Sequence, residues 1–236
     1  MTRIRRGTQF TAHLVNSSAE TGQPRVTDDI RDAILSGDQP PGTAIPVDAV
    51  AAHLGVSQIP VREALMTLVG EGLVEHRPHV GYRVATLTFE EFTDLYRVRE
   101  VLEAGALAAS IRHATAQDDA EIWASHHGLD SAIRGHDDRI YHSESRRLHL
   151  AMIRPSRMGR LVRMYESAWN LTEPARPMAH VSDEARHRFH SDHGEMISAF
   201  VARDGEALAA ASQRHYEHLR AEFDPLRDDA DLFRRP

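Results

Sequence analysis

The spacing of apolar residues changes at Leu87. From there to about Glu222 they recur with a period near 3.6, the mark of amphipathic helices. Phe92, Leu95, Val98, Leu102 and Ala106 form one continuous stripe, which predicts a helix over Phe89–Arg112. Further helices are expected over Gln117–Ile133, Arg139–Ile153 and Arg157–Leu171. Pro155 stops the second of these, and Pro174 and Pro177 interrupt the segment after the third. Two more, Asp183–Arg203 and Glu206–Phe223, are separated by Asp204-Gly205. Residues 87–222 therefore read as an all-α bundle long enough to bury a core. The last stretch, 223–236, is rich in charge and is expected to be a frayed tail.

Before Leu87 the elements are short and heavily punctuated. Residues 27–36 (TDDIRDAILS) make an amphipathic helix with Ile30, Ala33 and Ile34 on one face, ended by Gly37 and the PPG at 40–42. Residues 47–54 form a second helix, closed by a turn at Gly55. A third runs from about Pro60 to Glu71, with its first turn opening at Ser57. It points Val61, Ala64, Leu65 and Leu68 inward and leaves Gln58, Arg62, Glu63 and Met66 outside. Residues 73–76 and 82–84 are two β segments around a tip at 77–81. Three helices followed by a β-hairpin make a winged helix-turn-helix over residues 23–86. Residues 1–22 are polar, carry Arg3, Arg5 and Arg6, and read as a flexible arm. The fold class is mainly α: an N-terminal winged helix-turn-helix plus a C-terminal all-α bundle.

The string GVSQIPVREALMTLVGEGLVEHRPHVGYRV (55–84) resembles the winged helix of GntR-family bacterial transcription regulators, with PVREAL and EGLV at the family's separation. The resemblance implies double-stranded operator DNA as partner, read by Ser57, Gln58 and Arg62 at the helix opening and by Arg77, His79 and Gly81 in the wing. The physics of those residues agrees. A helix N-terminus fits the major groove and its N–H groups suit phosphate. Arg62 suits a bidentate contact to guanine, and the wing reaches the minor groove or backbone. Gln58 stands where the family usually has arginine, and Ile59 where it has threonine. Glutamine favours adenine edges, which predicts an altered operator preference. The competing reading pairs Arg62 with Glu63 or Glu71 on a solvated surface.

Composition narrows the rest. Of 236 residues 41% are hydrophobic, which suits a globular chain. The chain has 28 basic and 35 acidic residues, a net charge of −7. All of the basic residues are arginine. The acidity argues mildly against a nucleic-acid partner. Residues 1–86, however, carry eight Arg against nine Asp and Glu, so most of the excess lies in the helical half. No run of about 18 apolar residues predicts a membrane span. The opening MTRIRRGTQF lacks the apolar core of a secretory signal, and a cytoplasmic location is expected. With no cysteine and 16 histidines, any metal must be held by nitrogen and oxygen ligands.

The helical half is similar to the FCD-type effector domain of the FadR branch of the same family. Its opening helix carries LYRVREVLEAGALAA, with Arg99 four residues before Glu103. Such a pair is also an ordinary helix device. The branch often binds a divalent metal through an Asp and a His four apart, plus one His from each of the last two helices. The matching positions are Ser145, His149, His193 and His215. The resemblance thus implies a three-His site for a zinc- or nickel-like ion, with serine in place of the aspartate. Glu144 is turned about 100° from position 145 and does not replace it. A buried cation favours a small carboxylate, and Arg99, Ser145 and Arg146 are the candidate effector contacts. His190 and His218 either support the site or face solvent. His142 is two turns from His149, too far for the same ion. His126, His127, His136, His180 and His187 read as surface residues.

These readings point to a non-enzymatic, homodimeric regulator, a repressor by family default, whose operator affinity answers to a small organic acid. Two alternatives stand beside it. In one the metal ion is itself the signal. In the other the chain is a His-based metalloenzyme, for which no HExxH motif exists and the winged helix has no role.

Overall fold

The computed structural model describes residues 8–12, 14–17, 25–37 and 39–235. The chain folds as two compact units. One comprises the described residues up to 91 together with 170–175 and 229–235, and the other 92–169 and 176–228.

The first unit contains α1 (Val26–Leu35), α2 (Val47–Leu54) and α3 (Gln58–Gly70). They pack with β1 (Ala44–Ile45), β2 (Val74–Arg77) and β3 (Gly81–Val84), an antiparallel sheet in the order β1-β3-β2. Val74 pairs with Val84 and Arg77 with Gly81, while Ile45 lies opposite Tyr82. Strand β1 went unread in the sequence because two residues between Gly42 and Pro46 are too short to show alternation. Ile30, Ile34, Val50, Val61, Leu65, Leu68 and Val84 are fully enclosed and form the core. Gly55 ends α2 with φ of 69°, a left-handed conformation that other residues adopt only at a cost.

The described parts of two segments expected to be loose pack into this unit. Arg3, Arg5 and Arg6 lie outside the described residues. A single helical turn, Thr8–Thr11, however, sets Phe10 in the core, and Leu14 follows it. The Phe10 carbonyl accepts from buried Gln39 at 3.1 Å, and the Leu14 carbonyl lies 2.7 Å from His53 Nε2. The C-terminal tail does not fray at its apolar pair, where Leu232 and Phe233 are each 5% exposed. Phe233 meets Phe89 edge-on at 5.4 Å. The Arg234 amide donates to Leu87 O, and its guanidinium pairs with Glu91. Two adjacent apolar residues are enough to anchor an otherwise charged stretch.

The second unit is helical: α4 (Phe89–Ser110, entering at Phe92), α5 (Ala116–Gly135), α6 (Asp138–Ile153), α7 (Gly159–Thr172), α8 (Asp183–Val201) and α9 (Gly205–Phe223). Short polar starts fix the helix origins. Thr115 and Asp118 form a capping box on α5, while Asp137, Ser182 and Asp204 cap α6, α8 and α9. Helix α5 packs on α6, α8 on α9, and α8 also on α5. No described helix is long and apolar enough to cross a membrane.

Candidate functional site

Helices α6, α8 and α9 bring His149, His193 and His215 together in the interior of the second unit. All three are buried, and one nitrogen from each lies within 4.8 Å of the others. His149 Nε2 and His193 Nε2 are 3.2 Å apart. Two nitrogens bound tetrahedrally at zinc distances lie about 3.3 Å apart, so this spacing fits a shared ion. The rings of His193 and His215 meet at 4.5 Å between centroids.

Carboxylates sit behind two of these rings. His149 Nδ1 donates to Glu103 Oε1 at 2.7 Å, leaving Nε2 with its lone pair. Asp192 Oδ2 lies 3.4 Å from His215 Nδ1 and accepts from His218 Nδ1 at 2.8 Å. His218 thus supports the site through Asp192. His193 Nδ1 is buried without a hydrogen-bond partner among the described residues. Burial, reinforced by neighbouring imidazoles, holds His193 well below the usual histidine range. Burial lowers His215 as well, against the pull of Asp192. Both are therefore neutral near pH 7, the form that ligates metal.

Glu103 comes from α4 and is fully enclosed. Burial would raise its pKa, but the electrostatic pull of the His149 ring and hydrogen bonds from His149, Tyr216 and Tyr165 bring it down to about 2. Tyr165 donates at 2.8 Å, and the Tyr216 hydroxyl also donates to Glu103 Oε2. One turn earlier, Arg99 is 3% exposed. Its guanidinium stacks 3.5 Å above the Trp169 ring and 4.4 Å from the centre of Tyr96. Trp169 also meets His149, with ring centroids 5.5 Å apart. Arg99 and Glu103 do not close as an ion pair, and Arg99 Nε is buried without an acceptor among the described residues. The aromatic faces and the tyrosine hydroxyls take the roles that a simple helix pair would have filled.

Ser145 is buried one turn before His149, on the inward face of α6. Arg146 is only partly buried. Glu144 turns away, packing over Gly128 and toward Arg147. His127, His136, His180 and His187 are exposed. His126 is not a surface residue: it is half-buried and stacks on His190 at 3.9 Å and 10°. That stack takes His190 into a separate groove with Trp123 and Glu195. The roles of Glu103 and Asp192 were not read in the sequence. Their partners lie on other helices, and no local spacing signals them.

On the first unit, the N-terminal turn of α3 carries Ser57, Gln58, Ile59 and Arg62, all exposed. Ser57 makes no capping hydrogen bond, so its hydroxyl does not occupy the first-turn amides. Arg62 reaches Gln58 Oε1 at 3.5 Å and forms no ion pair among the described residues. Glu71 is taken by Arg31, at 2.7 and 3.1 Å. In the wing, Arg77 pairs with Glu75 at 2.9 Å. His79 has φ of 62° and Gly81 of 99°, the turn that projects Val80 into solvent.

Comparison with known proteins identifies both halves of the chain. Residues 23–84 match the gntR family of bacterial regulatory proteins, and residues 94–218 match the FCD domain. A probable D-xylose utilization operon transcriptional repressor of Paenarthrobacter nicotinovorans is 35% identical over 148 residues, 62% of each chain. The chain thus spans under two thirds of that relative's length. The Uxu operon transcriptional regulator of Escherichia coli K12 is 25% identical over 225 residues, 86% of this chain and 87% of that one. The structure of E. coli McbR/YncC superposes with a TM-score of 0.75 at 24% identity, over 84% of this chain and 94% of that one, a likeness of fold. Both halves match in the order of one architecture, and the chain belongs to the GntR family of bacterial regulatory proteins, with an FCD domain following its winged helix.

Proposed function

We propose that the chain is a DNA-binding transcription repressor whose operator affinity is controlled by a small organic acid held in the helical unit. The observation that carries the effector reading is the buried cluster itself. Three imidazoles converge beside a guanidinium that is enclosed by aromatic rings and closes no ion pair among the described residues. His149, His193 and His215 would hold a divalent ion of the zinc or nickel type. When bound, that ion supplies a positive centre able to take a carboxylate oxygen. Ser145 stands at the missing ligand position, so water or the acid completes the set. Arg99 offers a second anchor of matching geometry, and Arg146 a peripheral one. A relative named for D-xylose utilization makes a sugar-derived acid a reasonable first probe.

Ser57, Gln58 and Arg62 would contact operator bases and phosphates, with Arg77, His79 and Gly81 along the backbone or minor groove. Arg77 must exchange Glu75 for phosphate to do so. A homodimer supports this reading, because palindromic operators match two-fold symmetry. Val98 and Val101 on α4 and Met164 on α7 are exposed apolar residues suited to a second copy. The acid would act by binding one dimer arrangement more tightly than the other. No catalytic step is assigned.

Native mass and metal analysis of the purified protein tests the whole reading at once. Dimer mass, about one metal per chain and a co-purified acid are expected. A metal-free monomer that binds no duplex DNA contradicts it. Operator affinity that follows metal concentration with no acid present would instead make the ion the signal.

A further inference from the structure

The exposed side of α3 carries large apolar residues that the fold does not use. Val61, Leu65 and Leu68 supply the core from the opposite face and are fully enclosed. Ile59 is 68% exposed and Met66 54% exposed, with Arg62 between them at helical spacing. Ile59 therefore leaves an apolar side chain in water at the leading turn of the helix, between Gln58 and Arg62. Single exposed apolar residues are common and need no explanation by themselves. This one occupies the turn that the DNA-reading assignment places against base edges.

We propose that Ile59 reads the 5-methyl group of a thymine in the operator. The thymine methyl is the apolar group that base edges present in the major groove. A β-branched side chain is stiff about χ1, so Ile59 offers a preset methyl surface with little ordering cost. Its neighbours read by hydrogen bonding, Gln58 through its amide and Arg62 through its guanidinium. The helix turn thus joins one apolar reader to two polar ones. The inference rests on the DNA-binding reading above and adds a specificity-determining residue to it.

The test starts from selection of binding sites out of random duplexes with the full chain. If no sequence is enriched, the DNA-binding reading falls, and this inference with it. With an enriched site in hand, each thymine is replaced singly by deoxyuridine, which lacks only the methyl. Affinity is read by fluorescence anisotropy. At one position per half-site, uridine is expected to weaken binding about fourfold, the worth of one buried methyl. Ile59→Ala, a surface change that leaves the core intact, should bind thymine and uridine duplexes equally there. Ile59→Val should keep part of the discrimination. The inference is overturned if no uridine substitution affects the wild-type chain, or if Ile59→Ala shows the same loss.

Discussion

Glu103 Oε1 lies 2.7 Å from His149 Nδ1, although 46 residues separate them in the chain. Both side chains are buried, and the same carboxylate takes two tyrosine hydroxyls. Removing it strands a ring and two donors. We expect Glu103→Ala to destabilise the protein by about 3–5 kcal/mol, read by thermal or urea unfolding. Glu103→Gln keeps the shape but releases the ring tautomer. It should weaken metal binding by about 10–100-fold in a competitive chelator titration. Unchanged affinity would show that the carboxylate serves packing alone.

The His triad should make stability depend on metal. Zinc at about 100 times its dissociation constant is expected to stabilise the wild-type chain by roughly 2.7 kcal/mol, with a matching rise in Tm. His193→Ala should lose that response. It should keep basal binding to operator DNA, because no operator contact is assigned to the second unit. An equal metal response in the variant would place the ion elsewhere.

Arg62 is free of acidic partners among the described residues, so its guanidinium is available to DNA. Arg62→Ala should weaken operator binding by about 1–3 kcal/mol and relax base preference at one position per half-site. Its circular dichroism should match wild type. Gln58→Arg should shift preference from adenine toward guanine in the same selection assay. An unchanged site preference would remove Gln58 from base reading.

The C-terminal anchor is testable by stability alone. Phe233 is buried against Phe89, and Phe233→Ala should cost about 3–5 kcal/mol. Chemical denaturation with a winged-helix fluorophore would report it. A change within a few tenths of a kcal/mol would restore the picture of a frayed tail.

Much of this was legible in the sequence, and the rest failed for identifiable reasons. Helix periodicity located the six helices of the second unit, with ends shifted by one or two residues where caps such as Thr115 and Asp204 decide them. The face of α3 followed from Val61, Ala64, Leu65 and Leu68 alone. Strand β1 was too short to show a pattern. Phe10 and Phe233 were masked by charged neighbours, since burial there depends on tertiary contacts and not on local composition. The convergence of His149, His193 and His215 came from a family resemblance, which the packing of α6, α8 and α9 gives a geometry. Glu103 was read as a partner for Arg99 four residues away. Its actual partners come from α6, α7 and α9, and no helical periodicity encodes such contacts.

The central claim is that a small acid, held at the histidine site, sets operator affinity. The most direct measurement is operator anisotropy with sugar-derived and other small carboxylic acids, on metal-loaded and chelator-stripped protein in parallel. At least one acid should weaken operator binding of the loaded protein by about 5–150-fold, the usual range of allosteric coupling, and the effect should vanish on stripping. Operator affinity that is shifted equally with and without metal, or by none of the acids, would contradict the account.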